Sequence, residues 1–222
     1  MIRSSFRARI AVEFAGTAFL LMAIIGSGIM AAKLSGGNVG LALLANALAT
    51  AAALYVLILT LGPFSGAHFN PLVSALMAIR GQMRWSQMIA YAMAQLVGAV
   101  VGTWLTHLMF DMSIFQLSTN MRHSVGHGVS EVVASFGLLM TILLSSRAKP
   151  ESTPAAVALF IGSAYWFTAS TSFANPAVTL ARCFTDSFAG IRLMDAPWFW
   201  IAQLAGLALA ALVMRNMDAA EN

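Results

Sequence analysis

Long apolar stretches alternate along the chain with short segments that hold most of the polar and charged residues. Several of these stretches approach the roughly 20 residues that an α-helix needs to cross a hydrocarbon core about 30 Å thick. The pattern predicts an all-α membrane protein with six transmembrane helices, at about residues 10–32, 39–61, 87–108, 128–145, 153–170 and 198–214.

Two further apolar segments are too short to cross a bilayer. They cover about residues 70–80 and 175–184, and each begins with Asn-Pro. Asparagine is a strong N-cap and proline is favoured in the first helical turn, so each pair predicts a helix start. At 1.5 Å per residue such a helix reaches only about 16 Å, or half a bilayer.

The second half of the chain repeats the first. A glutamate near the start of a span, an Asn-Pro pair and a Gln-x-x-Gly sequence occur in the same order in both halves. Because each half holds three spans, an odd number, the second copy must be inverted relative to the first. We therefore expect one domain of residues 1–222, with repeats at about 10–108 and 128–217. The repeated residues are Glu13, Asn70, Pro71, Gln95 and Gly98 in the first half, and Glu131, Asn175, Pro176, Gln203 and Gly206 in the second.

In an inverted repeat the two short helices enter from opposite faces and their N-termini meet at the centre. This brings together two positive dipole ends, each equivalent to about half a charge. Capping occupies the side-chain oxygen of each asparagine, whereas the amide nitrogen stays free to donate outward. A water-filled path past this point would offer donors to neutral solutes and repel protons and cations.

Composition excludes a soluble protein. Hydrophobic residues make up 59% of the chain and charged residues 9%, against about 25% charged in an average soluble domain. The net charge of +4 comes from basic residues scattered between the spans, so no nucleic-acid-binding stripe forms. Eight of the 12 Lys and Arg residues lie on the cytoplasmic side if the N-terminus is inside, which predicts an inner-membrane protein with both termini cytoplasmic. The single cysteine, Cys183, cannot form a disulfide within the chain, and no metal or cofactor is expected.

Several motifs together resemble those of the aquaporin and aquaglyceroporin family of major intrinsic proteins: EFAGT (13–17), SGAHFNP (65–71), FANPA (173–177) and the two Gln-x-x-Gly pairs. The resemblance runs through all six spans and both short helices. It implies a channel with two re-entrant half-helices, usually a homotetramer with one pore per protomer.

The resemblance also implies roles for individual residues. Asn70 and Asn175 correspond to the paired central asparagines, in the motifs Asn70-Pro71-Leu72 and Asn175-Pro176-Ala177, with Leu72 where relatives have alanine. Glu13 and Glu131 correspond to the buried glutamates that accept hydrogen bonds from the loops before the half-helices. A proton relay is the alternative role for these glutamates.

The positions expected at the outer constriction depart from the family pattern. Most relatives carry an arginine three residues after the second asparagine, where this chain has Val178. By spacing in the family, the other positions fall on Thr50, on Ser172 and on either Gly162 or Ser163. Small side chains without a guanidinium predict a wider opening with fewer fixed donors.

Two further residues are candidates for the approach to the pore. Arg182 stands four residues after Val178 and shares its helix face, which would bring it near the outer vestibule; an interfacial arginine is the alternative. His68 precedes Asn70 by two residues, and it either lines the pore or braces the loop.

These features predict a passive channel in the lipid bilayer for small uncharged solutes, namely polyols such as glycerol, metalloid hydroxides such as arsenous acid, and water. A water-selective channel is one alternative. A secondary transporter with broken helices is another, but it would need a coupling-ion site that the sequence does not show beyond Glu13 and Glu131. No nucleophile stands with its base in a recognisable arrangement, so an enzyme is not expected.

Overall fold

The computed structural model describes residues 4–220, and every element in this range is helical. Two single-turn 3-10 helices, Pro150–Ser152 and Leu193–Asp195, precede the sixth and eighth α-helices. The α-helices are α1 (Phe6–Leu34), α2 (Val39–Ser65), α3 (Pro71–Ile79), α4 (Trp85–Met109), α5 (Val125–Ala148), α6 (Thr153–Phe167), α7 (Pro176–Arg182) and α8 (Ala196–Ala220).

The all-α membrane architecture predicted from the apolar pattern is confirmed. Within the described range, five helices are long and apolar enough to cross a membrane, namely α1, α2, α4, α5 and α8. The predicted fifth span, 153–170, corresponds to α6, which has 15 residues and ends at Phe167. At 1.5 Å per residue α6 is about 22 Å long, so it is the one helix among the six that falls short of the hydrocarbon thickness.

Helices α3 and α7 are the two half-helices. Each is capped by its asparagine: the side-chain oxygen of Asn70 accepts from Leu72 N, and that of Asn175 accepts from Ala177 N and Val178 N. The helices have nine and seven residues, or about 14 and 10 Å. Neither can cross a bilayer alone.

The same helix pairs form in both halves of the molecule. Helix α1 packs against α2 and α4, and α5 packs in the same way against α6 and α8. The half-helices contact the last helix of each repeat, α3 against α4 and α7 against α8, and contacts between α2 and α6 and between α4 and α7 join the halves. The contacts within the second half therefore repeat those within the first.

The glycines of the two Gln-x-x-Gly sequences allow close helix contacts. A Cβ atom on Gly98 would lie 2.3 Å from the Phe14 carbonyl oxygen of α1, and one on Gly206 would lie 2.7 Å from the Val132 carbonyl oxygen of α5. Only a residue without a side chain permits this approach, which is the usual role of small residues in membrane bundles.

The contact at Gly98 predicts a stability effect. In Gly98→Ala the added methyl meets backbone of α1 that cannot move unless the helices separate. We expect a loss of about 1–3 kcal/mol in unfolding free energy, the usual cost of overpacking. Thermal unfolding in detergent measures it, with Gly126→Ala as control, because a Cβ there meets only Ser124 Oγ at 3.6 Å. Equal melting temperatures for the two variants would contradict the expectation.

Candidate functional site

A buried glutamate of α1 holds the loop before the first half-helix. Glu13 is fully buried and accepts four hydrogen bonds. Its Oε1 accepts from Ser65 Oγ at 2.6 Å and from His68 N at 3.0 Å. Its Oε2 accepts from Phe69 N and from Gln95 Nε2, both at 2.8 Å. Both oxygens are therefore committed to the loop and to α4.

Glu131 repeats this arrangement in the second half. Its Oε1 accepts from Ser170 Oγ at 2.6 Å and from Phe173 N at 2.9 Å. Its Oε2 accepts from Ala174 N at 2.9 Å and from Gln203 Nε2 at 2.7 Å. One hydroxyl, two backbone N–H groups and one glutamine amide are thus the donors to each glutamate.

The two glutamines extend each brace to its half-helix. Gln95 Nε2 also donates to Ser74 Oγ at 3.1 Å, and Ser74 Oγ donates to the carbonyl oxygen of Asn70 at 3.3 Å. In the second half, Gln203 Nε2 donates to Thr179 Oγ1 at 2.9 Å, and Thr179 Oγ1 donates to the carbonyl oxygen of Asn175 at 3.0 Å. Each glutamate is therefore linked through side chains to the first turn of a half-helix.

The braced loops contain residues with positive φ. Ala67 and Phe69 have φ of 49° and 46°, and Ser172 and Ala174 have φ of 50° and 47°. A non-glycine residue in this region costs about 1–3 kcal/mol, and it persists only where its surroundings hold it. The glutamate bonds to Phe69 N and Ala174 N supply that restraint.

The two asparagines bond across the centre of the molecule. Asn70 Nδ2 donates to the Ala174 carbonyl and Asn175 Nδ2 donates to the Phe69 carbonyl, both at 2.8 Å. The expectation that these nitrogens are free to donate outward is therefore wrong in part. Because an amide nitrogen carries two hydrogens, one is used between the halves and one remains for a solute.

A cavity of about 630 Å³ runs past both asparagines. At one end, here called the Arg147 mouth, it is bounded by Arg80, Ser146 and Arg147; at the other, here called the Arg182 end, it is bounded by Val178 and Arg182. Between these ends the wall is mainly apolar, formed by Leu20, Ile24, Leu54, Ile58, Val73, Met77, Leu138, Ile142, Val157 and Ile161. The polar side chains on the wall besides the central asparagines include Thr50, His68, Tyr165 and Ser172.

The other members of the two central motifs support the half-helices. Pro71 and Pro176 are the first residues of α3 and α7. Leu72 and Ala177 are buried and are absent from the cavity wall, so the leucine in the first motif packs against neighbouring helices.

Three of the predicted constriction residues lie on the cavity wall. Thr50, Ser172 and Val178 all line it and are almost completely buried.

The position predicted on α6 needs correction. Gly162 is not on the wall, and Ser163 is exposed, with its hydroxyl donating to the Phe160 carbonyl at 2.8 Å. Helix α6 presents Ile161 and Tyr165 to the cavity instead. Ile161 and Tyr165 are four residues apart and therefore share a helix face. Residues 162 and 163 point about 100° and 200° around the helix axis from Ile161.

His68 and Arg182 both reach the cavity wall. His68 Nδ1 lies 3.0 Å from Ser74 Oγ, and its ring packs edge-on against Tyr91 at 5.3 Å between centroids, so it lines the cavity and contacts the first half-helix. Arg182 is buried beside the ring of Phe173, so it is not an interfacial side chain.

Two residues at the Arg182 end were not found by sequence reasoning. Tyr165 donates its hydroxyl to Thr50 Oγ1 at 3.3 Å, and the guanidinium of Arg122 lies 5.5 Å from the centroid of the Phe173 ring. The spacing of Val157, Ile161 and Tyr165 along one helix face could have indicated Tyr165. No sequence pattern around Arg122 indicates a role at this site, because Arg122 reaches it from the 110–124 loop.

The two half-helices meet inside a bundle of membrane-spanning helices, and the cavity passes both of their N-caps. This arrangement defines a multi-pass membrane channel for small uncharged solutes. The chain belongs to the major intrinsic protein family, whose family model matches residues 1–173 and 154–221. Members of this family are channels and not enzymes.

Individual relatives agree with this assignment. The chain is 50% identical to "Aquaglyceroporin AqpS" of Rhizobium meliloti (strain 1021), over 93% of this chain and 88% of that protein. It is 33% identical to "Probable aquaporin TIP-type alpha" of Phaseolus vulgaris, over 94% and 84% of the two chains. Among solved structures, the aquaglyceroporin from Plasmodium falciparum matches the fold with a TM-score of 0.69 at 23% identity, covering 94% of this chain and 93% of that one.

The glutamate braces predict a stability effect larger than any effect on selectivity. Glu13→Gln and Glu131→Gln each replace an acceptor oxygen with an NH₂ group that faces N–H donors. Each donor left unpaired costs about 1–3 kcal/mol, so we expect clear losses of thermal stability in detergent.

Glu151→Gln is the matched control, because Glu151 is exposed in a 3-10 turn. The solute preference of the protein that still folds should be unchanged when uptake is normalised to folded channel. Wild-type stability together with altered proton flux would favour the relay over the brace.

Proposed function

We propose that this protein is a channel of the aquaglyceroporin type with a wide filter, which passes glycerol and other small polyols, neutral metalloid hydroxides such as arsenous acid, and water. The observation that carries the proposal is Val178, which lies on the cavity wall three residues after Asn175. A valine there provides neither the bulk nor the fixed donors of an arginine. The name and 50% identity of the Rhizobium meliloti aquaglyceroporin support the same conclusion.

The proposed filter consists of Thr50, Tyr165, Ser172 and Val178, all of which line the cavity. Three of these side chains carry hydroxyl groups that can exchange hydrogen bonds with a hydroxylated solute as it leaves water. Val178 supplies an apolar side against which a carbon chain can pass. This combination suits polyols better than it suits water alone.

The proposed solute path past Asn70 and Asn175 leaves one amide hydrogen of each residue for the solute. The apolar wall on both sides of this point offers nothing to an ion that must shed its hydration shell. Neutral solutes that accept hydrogen bonds therefore pass, whereas cations meet two half-helix N-termini and, among residues 4–220, no carboxylate on the wall.

The proposed orientation places both termini in the cytoplasm of the inner membrane, with the Arg147 mouth inside and the Arg182 end outside. The distribution of Lys and Arg residues supports it. The proposed domain is a single unit with repeats at about 10–108 and 128–217, and the proposed assembly is a homotetramer with one pore in each protomer. The many apolar side chains exposed on α2, α4, α5 and α8 are available to contact lipid and neighbouring protomers.

Stopped-flow light scattering of proteoliposomes tests the proposed function. Water, glycerol and arsenous acid are compared side by side, with empty liposomes and with liposomes of a water-selective aquaporin as references. We expect all three solutes to pass faster than through empty liposomes. Water passage without glycerol passage would instead assign the protein to the water-selective channels, and flux that follows a proton or sodium gradient would indicate a transporter.

Val178 predicts the width of the filter. In Val178→Arg a long charged side chain enters the wall, so we expect glycerol uptake to fall at least about tenfold, the effect of about 1.4 kcal/mol on a barrier. Water uptake should fall less, because water is the smaller solute. Val178→Met separates added bulk from added charge. Glycerol uptake by Val178→Arg equal to that of the wild type would remove Val178 from the filter.

A further inference from the structure

A buried guanidinium stands at the Arg182 end of the cavity. Arg182 is 2% exposed and lies on the cavity wall. Its guanidinium carbon is 3.5 Å from the centroid of the Phe173 ring, and its Nε donates to the Ala189 carbonyl. The ring and the carbonyl fix the side chain, so the cation does not move freely in the vestibule.

No carboxylate neutralises this cation among residues 4–220. The ion pairs found there join Arg80 and Arg147 to Asp218, and Arg192 to Asp195. Of the five N–H donors of a guanidinium, Arg182 has one bound to a protein acceptor in the described range. A buried charge without an opposite charge beside it costs several kcal/mol, so this position favours an anionic ligand that can accept the remaining donors.

Hydroxyl groups stand at the same end of the cavity. Ser172 precedes Phe173 and lines the cavity at 3% exposure, and its Oγ has no hydrogen-bond partner among residues 4–220. Thr50 lines the cavity as well, and its Oγ1 accepts a hydrogen bond from the Tyr165 hydroxyl at 3.3 Å. Ser172 therefore has a buried free hydroxyl next in sequence to the ring that holds a buried cation without a carboxylate, an arrangement that a bound oxygen ligand completes.

The first half of the molecule has an apolar residue at the position equivalent to Arg182. In each repeat the asparagine and the residues three and seven positions after it line the cavity. They are Asn70, Val73 and Met77 in the first repeat, and Asn175, Val178 and Arg182 in the second. The residue seven positions after the asparagine is thus a methionine in one repeat and an arginine in the other. A side chain needed only for packing could have been apolar in both.

We propose that Arg182, Ser172 and Thr50 form a binding subsite for small oxyanions of single charge at the Arg182 end of the pore. The guanidinium offers two parallel N–H groups to two oxygens of the anion, which is the strongest geometry available to it. The Ser172 hydroxyl donates to the same group. Arg122, on the same Phe173 ring, adds positive potential at this end, while the apolar wall penalises each further negative charge on the ligand and so favours a single one.

The subsite has a measurable consequence for neutral solutes. A bound oxyanion occupies the path beside Val178, so it competes with solutes such as glycerol. This consequence rests on the proposed function, because it requires a neutral solute that passes the same point. The reference rate without an oxyanion tests that requirement separately.

The experiment measures glycerol uptake by proteoliposomes of the full chain while sodium methanesulfonate is raised on both sides. This anion is ionised at every working pH and carries three equivalent oxygens. Dimethyl sulfone, which has nearly the same shape and no charge, is the neutral comparison, and sodium chloride matches the ionic strength. We expect concentration-dependent inhibition by methanesulfonate and none by dimethyl sulfone.

Variants assign the effect to the subsite. In Arg182→Gln the inhibition constant should rise at least about tenfold, corresponding to the loss of one charge-assisted hydrogen bond. Arg192→Gln is the matched control, because Arg192 lies on the same side of the molecule, is 41% exposed and is not on the cavity wall. Its inhibition constant should equal that of the wild type. If Arg182→Gln does not fold, Arg182→Lys and Ser172→Ala decide, and each should weaken inhibition while glycerol still passes.

Each outcome separates the subsite from the channel. If wild-type liposomes take up no glycerol, the proposed function fails. Methanesulfonate is then tested by direct binding to the detergent-solubilised protein. A Kd for methanesulfonate that does not change in Arg182→Gln overturns the subsite. If glycerol passes and methanesulfonate inhibits no more than dimethyl sulfone, the subsite is wrong and the channel stands. Inhibition of equal strength in the wild type, Arg182→Lys and Ser172→Ala also overturns it.

Discussion

Two buried carboxylates fix the geometry on which the rest of the molecule depends. Glu13 and Glu131 each accept two backbone N–H bonds from a loop whose residues have positive φ. Irregular backbone at membrane depth is tolerated only where protein groups or a cavity satisfy it. The glutamates provide that satisfaction, and the loops then set where the N-caps of α3 and α7 lie. The position of the centre of the cavity is therefore a consequence of four hydrogen bonds on each side.

The cross-bonds between the halves explain why the two half-helices behave as one unit. Asn70 bonds to a carbonyl 104 residues away, and Asn175 bonds to one 106 residues away. Each asparagine therefore caps its own helix with its oxygen and holds the opposite loop with its nitrogen. Because both contacts are reciprocal, a shift of one half-helix would break bonds in both repeats. The centre is rigid as a result, and the remaining amide hydrogens point at a fixed place.

Features set by local sequence could be predicted, and features set by distant contacts could not. The half-helices follow from Asn-Pro capping and the inverted repeat from the order of a few residues, so both were available from the sequence. The choice of Gly162 or Ser163 failed because spacing in a family cannot settle the rotation of α6, which the side-chain contacts of Ile161 and Tyr165 decide. The bond from Asn70 to Ala174 joins two loops far apart in sequence, so no local pattern indicates it.

The repeats share their braces but differ in charge at the two ends. At the Arg147 mouth, Arg80 and Arg147 are both paired with Asp218, so a carboxylate offsets part of their charge. Arg182 instead lies against an aromatic ring and a carbonyl, which hold a cation without cancelling its charge. The pseudo-symmetric cavity therefore has an asymmetric electrostatic potential. For a neutral solute this difference is small, because it has no net charge on which the potential can act. For a solute that carries a negative charge, the Arg182 end is where residence is most favourable, since a compact anion meets there a guanidinium without a carboxylate and a hydroxyl without a hydrogen-bond partner in the described part of the chain.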